Sequence, residues 1–269
     1  MERILYDGKG RAYKVPELWD KFRTRCSWNN GKTGFPSVNL LPGKANHEYD
    51  GALPAAVRKA IREEHGCAAL CGTCPEDCEG CYAKMVTRNI IPGIKTALNT
   101  IEAKADPERF VWHVEKELFE TSVAVPKVVR FHDLGEWFSP DYLETSCNMM
   151  KRHEVTTKFY GYTKANAVVE PYIDSLPDNF TQNCSPWEGH CDPIGDLPQF
   201  IYDFGDNPAL RDLPHCPAVD CNGKRTGITC SQCGACARAK RGTRRAVYAH
   251  DPKGRKILVS NMKKIKEGR

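Results

Sequence analysis

The sequence predicts an α/β protein with a parallel sheet, continued by a cysteine-rich metal-binding extension near its C-terminal end. Three observations carry that expectation. The middle of the chain alternates runs rich in β-branched and aromatic residues with helix-periodic runs, the pattern of βαβ units. The 14 cysteines are unevenly spread, five in 67–81 and five in 216–236. Hydrophobic residues make up 41% and charged residues 27% of the 269, a composition that suits a folded core rather than a disordered chain.

The elements follow in order. The run Phe35-Pro-Ser-Val-Asn-Leu-Leu-Pro-Gly43 reads as a short buried strand closed by a turn. Residues 54–65 read as a helix, with proline in the first turn and Val57, Ala60 and Ile61 on one face. The cysteine loop comes next and runs into 82–89, which reads as the first turns of a helix. A helix is expected over 92–105. Asp106-Pro107 then opens another, with Phe110, Val111, Val114, Leu118 and Phe119 as its apolar stripe. A strand over 127–132 leads into Asp133-Leu-Gly-Glu-Trp137, and Ser139-Pro140 starts a helix to about 153. A strand at 157–163, a helix at 166–176 stopped by Pro177, and strands at 180–184 and 199–204 complete the body. Sites in parallel sheets lie at the C-terminal ends of the strands. The cysteine loop, 133–137 and Thr163-Lys164 are therefore expected to converge on one rim.

Charge and hydropathy narrow the class. The formal net charge is +5, mildly basic and by itself weak evidence for nucleic acid. No apolar run approaches the roughly 18 residues of a membrane span, and the opening MERILYDGKGRAYK lacks the apolar region of a secretory signal. A cytoplasmic protein without membrane attachment is expected, with its thiols reduced. Tight cysteine clusters in that setting read as metal ligands rather than disulfides. The sequence contains no dinucleotide- or nucleotide-phosphate loop motif and no HExxH zinc motif.

The first cluster is CAALCGTCPEDCEGCYAK, residues 67–84. Cys74, Cys78 and Cys81 have the spacing CxxxCxxC, and three close thiolates can hold three irons of a 4Fe–4S cluster. Cys67, Cys71 and Cys74 repeat that spacing in an overlapping frame. Four of the five thiols can instead close a tetrahedral zinc site. The CxxxCxxC run resembles the hallmark of the radical S-adenosylmethionine (SAM) superfamily, and Cys81-Tyr82-Ala83 favours the frame ending at Cys81. The resemblance implies a partial (β/α)6 barrel. It also implies a cluster whose open iron chelates SAM, and reductive cleavage of SAM to a radical that abstracts hydrogen from substrate. Asp133, Gly135 and Glu136 resemble the strand-end motif that seats the SAM amino group in that superfamily, though with one glycine rather than two. Tyr82, Tyr160, Tyr162 and Lys164 are further candidates for contact with SAM or substrate. Gly80 stands where the superfamily usually has an aromatic residue.

The second cluster, HCPAVDCNGKRTGITCSQCGAC, offers Cys216, Cys230, Cys233 and Cys236 as ligands of a second iron–sulfur cluster or of zinc. Across about 30–240, the sequence resembles a phage-encoded family described as gene product 88. The segments that carry this are NGKTGFPSVNLLPG, CPEDCEGCYAK, RFHDLGEWF, FYGYTK and HCPA…TCSQCGAC. The chain divides into a radical-SAM-like α/β domain (1–207), the cysteine-rich segment (208–240) and a basic tail (241–269). Expected partners are an unknown substrate, a reductant, and nucleic acid gripped by the tail. The rival reading is a non-enzymatic phage protein braced by structural zinc, binding nucleic acid or a host protein and working in the host cytoplasm.

Overall fold

The computed structural model describes residues 4–6, 12–14, 24–28, 34–42, 53, 55–75, 87, 90–186, 192–203, 208–220 and 224–248. Strands β1 (Ile4–Tyr6) and β2 (Ala12–Lys14) pair antiparallel as a two-stranded sheet. The main sheet has seven strands in the order of the chain: β3 (Cys26–Ser27), β4 (Ser37–Val38), β5 (Val128–Phe131), β6 (Lys158–Thr163), β7 (Phe180–Cys184), β8 (Gln199–Asp203) and β9 (Arg244–Tyr248). Strand β3 is antiparallel to β4, and each later strand is parallel to its neighbour. The mostly parallel sheet predicted from the alternating pattern is therefore present.

Register explains the two faces. Val129, Phe159 and Phe180 stand level on β5, β6 and β7, and so do Arg130, Tyr160 and Thr181 one residue later. Successive side chains of a strand point to opposite sides, so the first row is apolar and the second polar or aromatic. The apolar face carries the helices. Helix α3 (Pro107–Glu115) brings Phe110, Val111 and Val114, and α4 (Pro140–Arg152) brings Tyr142, Leu143, Met149 and Met150. Phe131, Phe159, Trp137 and Tyr142 are each at most 1% exposed, and burying each ring stabilises the fold by about 2–3 kcal/mol. A separate core joins α1 (Ala55–His65) to α2 (Ile90–Ala105) through Val57, Ile61, Leu70, Ile94 and Ala97.

Helix starts follow the sequence signals. Asp106 caps α3 by accepting the Arg109 N–H at 2.9 Å, and Ser139 caps α4 by accepting the Tyr142 N–H at 3.2 Å, each with proline next. Three segments differ from expectation. The helix after Asp106 widens into a π turn over Lys116–Glu120, with the Thr121 N–H reaching Lys116 O. The expected helix at 166–176 is a short α5 (Asn166–Val169) followed by a 3₁₀ stretch, Glu170–Ser175. Pro171 has no N–H for an α-helical bond there. The expected strand at 35–43 keeps only two residues in the sheet, because Leu40 N–H donates to Leu134 O and Leu41 N–H to the Thr100 hydroxyl. No strand was expected after 204, yet Arg244–Tyr248 is the edge strand β9. The expected helix at 82–89 lies almost wholly outside the described residues.

Candidate metal and cofactor site

The C-terminal end of β5 is stopped by His132, whose φ is 57°. That ring is 3% exposed, and burial with the nearby Arg130 charge pushes its pKa down to about 3, so it is neutral. After it, the chain turns under one acceptor. The N–H groups of Asp133 and Leu134 both donate to Asn39 Oδ1, at 2.9 and 3.1 Å. Gly135 follows with φ 85°. A Cβ there would stand 2.7 Å from Leu40 Cβ and 2.9 Å from Leu40 O, so both the backbone angle and the close approach require glycine.

Glu136 is the centre of this rim. It is 8% exposed. The Thr163 hydroxyl donates to Oε2 at 2.7 Å, and the Lys164 N–H to Oε1 at 3.0 Å. The Trp137 backbone N–H also stabilises the carboxylate. Burial outweighs these donors and the Lys164 ammonium, and pushes the Glu136 pKa up to about 7. The carboxyl thus joins the ends of β5 and β6, both in the parallel part of the sheet.

The first cysteine loop is tied to the same rim. Thr73 donates to Leu41 O through its N–H (3.1 Å) and hydroxyl (2.9 Å). Its Oγ1 accepts the Glu136 N–H at 3.0 Å. Lys104 Nζ donates to the carbonyls of Cys71 and Gly72, at 3.2 and 2.8 Å. Cys74, one residue beyond Thr73, is half-buried, as is Cys71, while Cys67 is exposed. Of the residues singled out from sequence, Cys74, Asp133, Gly135, Glu136 and Lys164 therefore gather at one place. Cys78, Cys81 and Tyr82 lie outside the described residues.

Tyr162 goes elsewhere. With Arg130, Tyr160, Thr181 and Asn183 it occupies the face of the sheet opposite the helices. The C-terminal cysteine segment lies over that face and is fixed to it from two directions. Cys216 N–H donates to Ala246 O of β9 at 2.9 Å. Thr181 Oγ1 donates to Ala237 O at 3.1 Å and Asn183 Nδ2 to Cys236 O at 3.3 Å, both from β7. The short helix α6 (Cys230–Cys233) has a Thr229–Gln232 capping box and closes at Gly234, φ 62°. Cys216, Cys230, Cys233 and Cys236 consequently line one hollow, with Phe35, Tyr160 and Ala237. It holds about 300 Å³ of space free of atoms, its open mouth included.

Electrostatics mark the hollow's inner wall. Burial pushes the Cys236 thiol up to about 12, although the Tyr162 hydroxyl donates a hydrogen bond to it. Tyr160 is 1% exposed and its hydroxyl has no hydrogen-bond partner among the described residues. Burial raises its pKa, opposed by Arg130 and reinforced by Cys230 and Cys236. The Arg130 guanidinium lies 5.0 Å from the Tyr162 ring centre and 5.9 Å from that of Tyr160. It also pairs with Asp133 at 2.9 Å, so one buried cation touches both the rim and the tyrosine rings beside the hollow.

Among the described residues, no three His, Cys, Asp or Glu side chains converge tightly enough to hold a single metal ion. The four thiols line the hollow together with Tyr160, whose hydroxyl is buried and has no hydrogen-bond partner among the described residues. Thiolates are ligands of iron–sulfur clusters and of zinc alike, so the donor set would suit either group. Of the basic residues after the cluster, Arg238 donates to Cys233 O at 2.8 Å, and Arg241 pairs with Asp174 and Asp196 at 3.2 and 3.1 Å. Those two charges are already engaged. Residues 249–269 lie outside the described residues. Among the described residues, no helix is long and apolar enough to cross a membrane.

Sequence reasoning missed Asn39, Thr73 and Arg130; it placed Thr163 on the rim but not as a donor to Glu136. Asn39 carries a signal, since it is the one polar residue in the apolar run Val38–Leu41. Thr73 adjoins Cys74, but nothing local reveals its bond to Glu136. A family model described as Gene product 88 matches residues 37–242. The curated proteins and the solved structures give no match.

Proposed function

The chain belongs to the Gene product 88 family, and we propose that it is an iron–sulfur enzyme of the radical SAM kind with a second four-cysteine cluster. One observation carries the reading. The loop that bears Cys74 is bonded through Thr73 to the backbone of Glu136, a buried carboxyl at the C-terminal ends of parallel strands. That is where an α/β sheet presents a site. The partial (β/α)6 barrel belongs to this proposal, supported by six parallel strands laid in chain order.

Cys74, Cys78 and Cys81 would hold the SAM-binding cluster, and Cys216, Cys230, Cys233 and Cys236 the second one. When bound, the first group supplies reductive cleavage of SAM to methionine and a 5′-deoxyadenosyl radical, using one electron from an external reductant. The protein's own part is positioning. A carboxylate offers about four acceptor sites, and Thr163, Lys164 and Trp137 donate to three at Glu136. An ammonium suits the remaining direction and draws the carboxyl to its charged form. Gly135 keeps the backbone close, and Asn39 holds the turn rigid.

A second reading is favoured by the capped Cys230–Gly234 turn. Two cysteines on one short helix, followed by a left-handed glycine, also suit a structural zinc ion. The proteins differ in content. The full chain purified without oxygen is expected to carry about eight irons and eight sulfides, and the Cys74→Ala, Cys78→Ala, Cys81→Ala triple variant about half. Zinc without sulfide in the wild type would overturn the enzyme reading.

A further inference from the structure

The hollow has an inner wall that the fold of the cysteine segment does not require. Tyr162 donates its hydroxyl hydrogen to the Cys236 sulfur. Tyr160, its neighbour on the same face, lines the hollow and buries a hydroxyl that has no hydrogen-bond partner among the described residues. A buried hydroxyl left unpaired destabilises a protein. A group bound in the hollow that accepted its hydrogen bond would remove that cost. Behind both rings lies the Arg130 guanidinium, 5.0 and 5.9 Å from their centres. Phe35 packs edge-on against Tyr160 at 6.2 Å and closes that flank with apolar surface.

We propose that Tyr160 and Tyr162 are positioning residues that set the reduction potential of a cluster held by Cys216, Cys230, Cys233 and Cys236. Tyr162 acts through the Cys236 sulfur, and Tyr160 donates to a sulfide of the bound group. The inference rests on the iron–sulfur reading above. Reduction adds one electron, taken from dithionite in the experiment, to a group already negative from four thiolates. Two hydroxyl donors and a cation on one side favour the reduced form. Because Arg130 also pairs with Asp133 at the rim, the same cation links this wall to the Glu136 turn.

The test uses the full-length Cys74→Ala, Cys78→Ala, Cys81→Ala triple variant, which isolates the C-terminal group, under potentiometric titration followed by electron paramagnetic resonance. Tyr162→Phe and Tyr160→Phe are each expected to shift the midpoint to lower potential, and the double variant further, with iron and sulfide unchanged. A structural role is separated by the metal-free protein. There Tyr160→Phe is expected to leave the melting temperature unchanged or raise it, since it removes an unpaired hydroxyl. Unchanged midpoints with unchanged iron would overturn the inference while leaving the iron–sulfur reading intact. A triple variant that holds no iron at the C-terminal cysteines would overturn both.

Discussion

Cys74 reaches the sheet at its strand ends, through one threonine that bonds the backbone of a buried carboxyl. Cys216, Cys230, Cys233 and Cys236 instead cover a face of the sheet, anchored by side chains of β7 and the backbone of β9. The rim carries a glycine that cannot be replaced and an acid with a displaced pKa. The hollow is lined by Tyr160, with Tyr162 and Arg130 next to it on the same sheet face. Rims of parallel sheets are where such folds present their sites, whereas the hollow lies against a face of the sheet. Arg130 spans the two, so they are neighbours in charge as well as in space.

The comparison can be broken at either end. The largest effect is expected from Gly135→Ala, which combines a left-handed backbone angle with overlap against Leu40. It should destabilise the protein by about 3–5 kcal/mol, measured by urea unfolding. A loss below about 1 kcal/mol would mean that the rim is far looser than described.

Asn183→Ala attacks the other region. It strips donors from the carbonyls of Gly161 and Cys236 and should cost about 2–3 kcal/mol. In the metal-free protein it should also speed alkylation of Cys230, Cys233 and Cys236 while leaving Cys74 unchanged. Equal acceleration at Cys74 would show that the two regions are not independently anchored.

Glu136 gives the rim a pH signature. Its folded pKa, about 7, lies above the ordinary 4.5, so the folded state binds more protons in between. Stability should therefore be greatest below the lower value and fall as pH rises through the higher one, by on the order of 3 kcal/mol. Glu136→Gln should flatten that fall in thermal melts between about pH 5 and 7. A wild-type profile that already rises across this range would contradict the burial assigned to the acid. The smallest effect is a control outside both regions. Asp106→Ala removes the α3 cap and should cost about 1 kcal/mol without changing metal content.

The body of the fold was readable because strand alternation and Asp-Pro or Ser-Pro starts are local signals. Strand β9 was not, since Arg244–Tyr248 sits in a basic stretch and is ordered by pairing with β8, which no local pattern encodes. Asp133, Gly135 and Glu136 could be placed at a strand end from sequence, but their anchor Asn39 lies far upstream in the chain. For Tyr162, alternation along β6 separates it from Phe159 and Thr163. Only the packing of α3 and α4 on one side decides which face is left for the cysteines.

On the proposed reading, the Cys74 loop and the Glu136 rim together form a SAM-cleaving site. The most direct test adds dithionite and SAM to the oxygen-free, iron-loaded protein and measures 5′-deoxyadenosine by chromatography. Release by the wild type and none from Cys78→Ala is expected. No release from an iron-replete wild type, or equal release from Cys78→Ala, would contradict it.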